Sequence, residues 1–120
     1  MVKKTLVLGA SLNTDRYSNM AVKKLILNNI DVRAIGLRTG LIDKVFIEKD
    51  SVIFKNIHTV TVYLNSVRQS DYYDYIVSLK PQRVIFNPGT ENTEFYNLLK
   101  KKSIKYLEAC TLVLLSTNQY

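Results

Sequence analysis

Residues 5–18 read TLVLGASLNTDRYS, and this stretch decides the fold. It begins with an apolar run of strand length that ends at Gly9, and a polar segment follows. Val22, Leu25 and Ile26 then recur at helical spacing, so a helix follows the turn. A strand that ends at a glycine directly before a helix is typical of phosphate-binding loops, because the free N–H groups at the helix start face the turn.

Strand and helix patterns alternate along the rest of the chain. After the strand at 5–9, we predict strands over 31–36, 59–64, 83–86 and 104–108, and helices over 16–29, 66–80, 90–102 and 111–116. Residues 39–57 alternate weakly, which predicts short extended pieces and no full helix. The alternation predicts a Rossmann-like three-layer α/β/α fold with a five-stranded, mainly parallel sheet. We expect residues 1–120 to form a single domain.

The carboxyl ends of the predicted strands are where a ligand is expected. In an open parallel sheet the ligand crevice lies outside these ends, where the strand order reverses. This rule selects the loops at 9–15, 36–40 and 87–91. His58 precedes its strand, so we expect it at the opposite edge of the sheet, away from the ligand.

The composition restricts the class of partner. Lys and Arg number 17 against 10 Asp and Glu, a formal charge of +7, which favours anionic partners. Many of the lysines stand in clusters that are equally typical of solvated helix ends. One Cys and one His argue against a metal site and an internal disulfide. With no long apolar run and no signal peptide pattern, the sequence predicts a cytoplasmic protein without a membrane partner.

The end of the second predicted strand bears on the kind of nucleotide. Sites that bind the ribose of NAD place an acidic residue about 20 residues beyond the glycine motif. Here the strand ends Gly36-Leu37-Arg38, without an acid. An arginine suits a phosphate dianion, which disfavours NAD and favours a nucleotide with an extra ribose phosphate, either NADP or coenzyme A. A solvated loop arginine at 38, and a plain strand-to-helix turn capped by Ser11, remain the alternatives.

At this point the sequence resembles a known family. The stretch VLGAS, with Asn13, Arg16, Tyr17 and Ser18, resembles the opening motif of small bacterial CoA-binding proteins. This Rossmann-like family is similar to the CoA-binding domain of succinyl-CoA synthetase α subunits. The resemblance covers almost the whole chain in order.

Three later features belong to the same resemblance. They are the arginine-bearing loop at 36–40, the Asn87-Pro88-Gly89 turn after the fourth predicted strand, and a cysteine just after the fifth. One departure concerns the second strand. Many members have an Asn-Pro pair with a nearby basic residue there, whereas this chain reads Gly36-Leu37-Arg38.

The resemblance implies coenzyme A as the cofactor and assigns residues to its parts. The pyrophosphate would lie against the start of the first helix and against three residues: Gly9, Ala10 and Ser11. Three more would close the phosphate pocket: Asn13, Arg16 and Ser18. The 3′-phosphate at the ADP end would contact Arg38. Three residues would border the pantetheine arm: Asn87, Pro88 and Gly89.

Catalytic groups are scarce in the predicted crevice. Its loops hold Ser11, Glu91, Glu108 and Cys110 but no His, so serine and cysteine nucleophiles lack a base, and we expect no catalysis. Cys110 follows the fifth strand near a helix start, which would lower its pKa. If that strand is two positions from the first, roughly 10 Å away, the pantetheine thiol could form a mixed disulfide with Cys110. The alternative is a buried, inert cysteine.

Three functions are therefore compared. The first is a non-catalytic module that binds coenzyme A or acyl-CoA. The second is a small NADP-dependent oxidoreductase, opposed by the single glycine of the loop and by the short chain. The third is a nucleic-acid-binding protein, suggested by the charge and eight tyrosines, but Tyr72, Tyr73 and Tyr75 fall on a helix that packs inward. The outer strands of the sheet leave a homodimer open.

Overall fold

A computed structural model describes residues 3–120 of the protein. One seven-stranded sheet has the order β3-β4-β2-β1-β5-β6-β7. The strands are β1 Thr5–Ala10, β2 Val32–Gly36, β3 Gly40–Ile42, β4 Val45–Glu48, β5 Thr59–Val62, β6 Arg83–Phe86 and β7 Lys105–Glu108. The helices are α1 Tyr17–Leu27, α2 Ser66–Gln69, α3 Tyr73–Leu79, α4 Thr93–Lys101 and α5 Thr111–Ser116, with a 3-10 turn at Ser70–Tyr72.

The predicted α/β class with a mainly parallel sheet is confirmed, but the predicted number of five strands is wrong. The five predicted strands are β1, β2, β5, β6 and β7, and their pairs are parallel. The two further strands, β3 and β4, lie in the stretch of weak alternation. They form an antiparallel pair, and β4 extends the sheet beyond β2. Strands of three and four residues are too short for alternation to identify.

Strand β1 is central because its side chains fill both faces of the sheet. Leu6, Val7 and Leu8 are each 0% exposed. Leu6 and Leu8 pack in the core beneath α3 and α4, whereas Val7 and Ala10 pack in the core beneath α1 and α5. A strand buried on both faces needs a continuous apolar run, which explains the sequence TLVL.

Strands β1 and β2 approach closely at their carboxyl ends. Their register shifts between Leu8 and Ala10, so that Ala10 pairs with Gly36 across an irregularity at Gly9. A Cβ atom on Gly36 would lie 2.2 Å from the carbonyl oxygen of Ala10. Only glycine fits there, because a backbone atom cannot move aside as a flexible side chain can.

We therefore expect Gly36→Ala to lower the free energy of unfolding by about 1–3 kcal/mol or more, the usual effect of overpacking. Urea denaturation followed by circular dichroism measures this change. Gly89→Ala measures the effect of backbone strain alone, since a Cβ atom at Gly89 would meet no atom within 4 Å and only its φ of +91° disfavours alanine. A free energy of unfolding of Gly36→Ala within about 0.5 kcal/mol of the wild-type value would contradict the steric argument.

The buried side chain of Asn87 forms hydrogen bonds that connect β5 to the start of α5. Its Nδ2 donates to the Thr61 hydroxyl (2.7 Å) and to the Val62 carbonyl (2.9 Å). Its Oδ1 accepts from the Thr111 N–H at the start of α5 (2.8 Å). The side chain is therefore fully engaged inside the fold, and its predicted place beside a pantetheine arm is not supported.

The Asn87→Leu variant should lose about 2–4 kcal/mol of stability, because it leaves the buried Thr111 N–H without its acceptor and the Val62 carbonyl without the Asn87 donor. The Thr61 hydroxyl loses one bond but keeps its contact with the Thr111 hydroxyl (2.8 Å). Asn97, exposed on α4, provides the matched control Asn97→Leu, which should change the unfolding midpoint little. Thermal unfolding of both variants decides the question. A small loss of stability in Asn87→Leu would mean that water or a local shift of the backbone replaces the Asn87 hydrogen bonds.

Candidate functional site

A crevice of about 850 Å³ opens at the carboxyl ends of the central strands. Its walls come from the loops after β1, β2, β5 and β6. Nine of the ten residues predicted to bind the cofactor line it: Gly9, Ala10, Ser11, Asn13, Arg16, Ser18, Arg38, Pro88 and Gly89. The tenth, Asn87, lies beneath it with its side chain turned into the fold.

The loop between β1 and α1 is held open by its own hydrogen bonds. Gly9 adopts a φ of +94°, and the side chain of Leu64 packs against its backbone. The Asn19 amide donates to the Ser11 carbonyl (2.9 Å), and the Ser11 hydroxyl accepts from the Asn13 N–H (3.1 Å). These contacts fix the backbone of the loop before any ligand arrives.

The start of α1 faces this loop without a side-chain cap. Arg16 is the N-cap residue and makes no capping hydrogen bond, and the first turn holds no acidic residue. Within residues 3–120, the N–H groups of Tyr17 and Ser18 have no acceptor. Free N–H groups and the positive end of the helix dipole together suit an anion.

The charged side chains of the crevice also favour an anionic ligand. Arg16, Arg38 and Arg68 line it, against one acidic residue, Asp71, which gives its described walls a formal charge of +2. None of these arginines forms an ion pair within the described chain, where the ion pair found joins Arg33 to Asp31. Unpaired guanidinium groups in a concave site attract a ligand that carries several negative charges.

The end of β2 forms one wall. Ile35, Gly36, Leu37 and Arg38 line the crevice there, and none of them is acidic. The carboxylate that would bind a ribose of NAD is therefore missing from this wall, as the sequence predicted. The exposed Arg38 stands at the outer end of the wall.

A whole wall of the crevice was missed by the sequence prediction. The chain leaves the sheet at Val62, two residues before the predicted strand end. The segment that follows contributes six lining residues: Tyr63, Leu64, Asn65, Arg68, Asp71 and Tyr72. The rule that selected the other loops applies equally to this one, but the predicted strand and helix left no loop between them.

Tyr63, and not Cys110, forms the wall nearest to α5. Burial raises the pKa of the Tyr63 phenol, and the neighbouring Cys110 raises it further. Cys110 itself is half-buried at the N-cap position of α5 and is not among the lining residues. Strand β7 lies three positions from β1, so the expected two-position spacing is wrong.

His58, Glu91 and Glu108 are not among the lining residues of the crevice. His58 lies at the amino-terminal edge of the sheet, where its backbone N–H donates to the Lys4 carbonyl. Burial lowers the pKa of its imidazole, and the charges of Arg83 and Lys3 lower it further. The Glu108 carboxylate accepts from the Tyr96 hydroxyl (2.7 Å), and the Glu91 carboxylate accepts from the Gly89 N–H (3.0 Å). Across residues 3–120, no three His, Cys, Asp or Glu side chains cluster as a metal site would require.

The part of the chain that the structure describes contains no helix long and apolar enough to cross a bilayer. The two tyrosines of α3 are engaged in packing. Tyr75 is buried, and the ring of Tyr73 stacks on Phe95 with centroids 4.4 Å apart.

Solved structures resemble the whole fold. An uncharacterised protein of known crystal structure is 39% identical, with a TM-score of 0.96, and the match covers 100% of this chain and 99% of that one. A hypothetical protein from Pyrococcus horikoshii OT3 is 18% identical (TM-score 0.86, 97% of this chain and 83% of that one). A Thermus thermophilus protein is also 18% identical (TM-score 0.85, 98% and 91%). No curated protein matches the chain.

The chain also matches the sequence model of a protein family, the CoA-binding domain. The match covers residues 3–116, almost the entire chain. This span contains all four loops that build the crevice. The chain belongs to the CoA-binding domain family.

Proposed function

We propose that this protein binds coenzyme A or an acyl-CoA in the crevice and does so without catalysing a reaction. One observation carries the proposal: an uncapped helix start and unpaired arginines meet in one preformed crevice. Coenzyme A carries a pyrophosphate and a separate ribose phosphate, so its charge is spread over a length that matches cations placed on several loops. The family membership supports the same ligand.

In the proposed pose the pyrophosphate lies over Gly9, Ala10 and Ser11, and the Tyr17 and Ser18 N–H groups donate to it. Arg16 would add a guanidinium at the same place. Asn13 shapes the loop, since its side-chain oxygen Oδ1 accepts from the Asp15 N–H (2.9 Å). The short Ser18 side chain, 4% exposed, leaves room beside the helix start.

The two ends of the ligand would then lie on opposite sides of β1. The adenosine end points toward Leu37 and Arg38, where the guanidinium binds the 3′-phosphate. The pantetheine arm points toward Pro88 and Gly89, which are exposed at the other side. The described walls hold one carboxylate, Asp71, and no His or Cys beside it, so a paired nucleophile and base are not found among them, which supports a binding role.

Wild-type protein should bind coenzyme A more tightly than dephospho-CoA, by about 10-fold or more, since one charged hydrogen-bonded contact contributes about 1.5–3 kcal/mol. Arg38→Gln should remove this preference and leave the affinity for dephospho-CoA unchanged. Titration calorimetry with both ligands gives the ratio. Lys44→Gln, which removes one exposed charge from the turn between β3 and β4, is the control.

NADP and NAD belong in the same series as competing ligands. Tighter binding of NADP than of coenzyme A would favour the oxidoreductase alternative. Equal affinity of the wild-type protein for coenzyme A and dephospho-CoA would show that Arg38 does not contact the 3′-phosphate. Binding of none of these ligands would overturn the proposed function.

A further inference from the structure

Arg68 places a cation on the wall that follows β5. In the sheet order β2-β1-β5, the loops that carry Arg38 and Arg68 lie on the two sides of β1. Their strands are two positions apart, a separation of roughly 10 Å. The side chain of Leu64 packs on Gly9, so the segment that carries Arg68 borders the turn where the pyrophosphate is proposed to lie.

The segment behind Arg68 is fixed by the next side chain, Gln69, which is 0% exposed. The Gln69 amide donates to the Leu64 carbonyl (2.8 Å) and to the Thr90 carbonyl (2.7 Å). Its oxygen accepts from the Asn92 amide (2.9 Å). Leu64 and Thr90 both line the crevice, so this one buried side chain ties two of its walls together.

The guanidinium of Arg68 has no partner of its own among residues 3–120. Its backbone N–H donates to the Asn65 side chain (3.0 Å), which caps α2 and orients the residue. Asp71 follows at i+3, but no ion pair joins the two side chains. An exposed arginine thus stands on a rigid wall of a cationic crevice with all its side-chain donors available.

We propose that Arg68 binds the pyrophosphate of coenzyme A from the wall opposite the β2 loop, and so completes a two-sided grip on that group. This proposal rests on the proposed function and adds a residue to it. The pyrophosphate is the part of the ligand nearest to Gly9, whereas the 3′-phosphate lies beyond β1 at Arg38. The fork of a guanidinium group suits two neighbouring phosphate oxygens. The phosphates of coenzyme A would then balance the positive charge of the crevice walls.

The test compares Arg68→Gln with the wild-type protein and Arg38→Gln by titration calorimetry with coenzyme A and dephospho-CoA, at one fixed ionic strength. Arg68→Gln should weaken both ligands by the same factor, about 10- to 100-fold, because both contain the pyrophosphate. Lys101→Gln, in the last turn of α4 at the other edge of the sheet, removes the same charge and should change either affinity less than about 2-fold. Urea unfolding of Arg68→Gln should match the wild type, since the side chain makes no hydrogen bond or ion pair among the described residues.

Wild-type affinity in Arg68→Gln for both ligands would overturn the proposal and leave the proposed function intact. Loss confined to coenzyme A would also overturn it, because it would place Arg68 on the 3′-phosphate. Failure of the wild-type protein to bind either ligand is a separate result, which would remove the proposed function and the Arg68 contact with it.

Discussion

The contact between the β1 and β2 backbones at Gly36 sets the geometry on which the crevice depends. Ala10 approaches Gly36 so closely that no side chain fits, and the irregularity at Gly9 turns the chain out of the sheet at that point. The loop before α1 therefore starts at a defined height above the strands. Its position directs the helix start toward the space between the walls, where an anion can reach the free N–H groups.

The arginines of the crevice carry charge that no carboxylate of the described chain neutralises. Outside the crevice, Arg33 forms an ion pair with Asp31. Around the crevice the described walls hold three arginines and one aspartate, and no pair forms. A ligand with phosphates then meets donors that need not first be released from internal partners, which lowers the free-energy cost of binding.

Local patterns were sufficient for the main sheet and for most of the site. The continuous apolar run at Leu6, Val7 and Leu8 identified a central strand because burial on both faces leaves no polar position. Nine proposed site residues followed from the rule about strand ends and from the family resemblance, and the structure brings them together. What these nine contact in a complex stays a prediction.

Long-range contacts explain what the sequence did not reveal. The predicted helix over 66–80 is divided by the turn at Ser70–Tyr72, where Gln69 turns inward to bonds 5 and 21 residues away. The family resemblance assigned Asn87 to the ligand, and nothing in the sequence indicated that its side chain bonds to Thr61 and Thr111 inside the fold. No local periodicity encodes partners of this kind.

The extra hairpin has a consequence for how copies of the protein meet. Strand β3, at one edge of the sheet, has three residues, and β7, at the other edge, has four and begins with an exposed lysine. Short or charged border strands offer few unpaired backbone groups to a neighbouring molecule. Continuous sheet formation between copies is therefore disfavoured at both borders, which favours helix or loop surfaces for contact between copies.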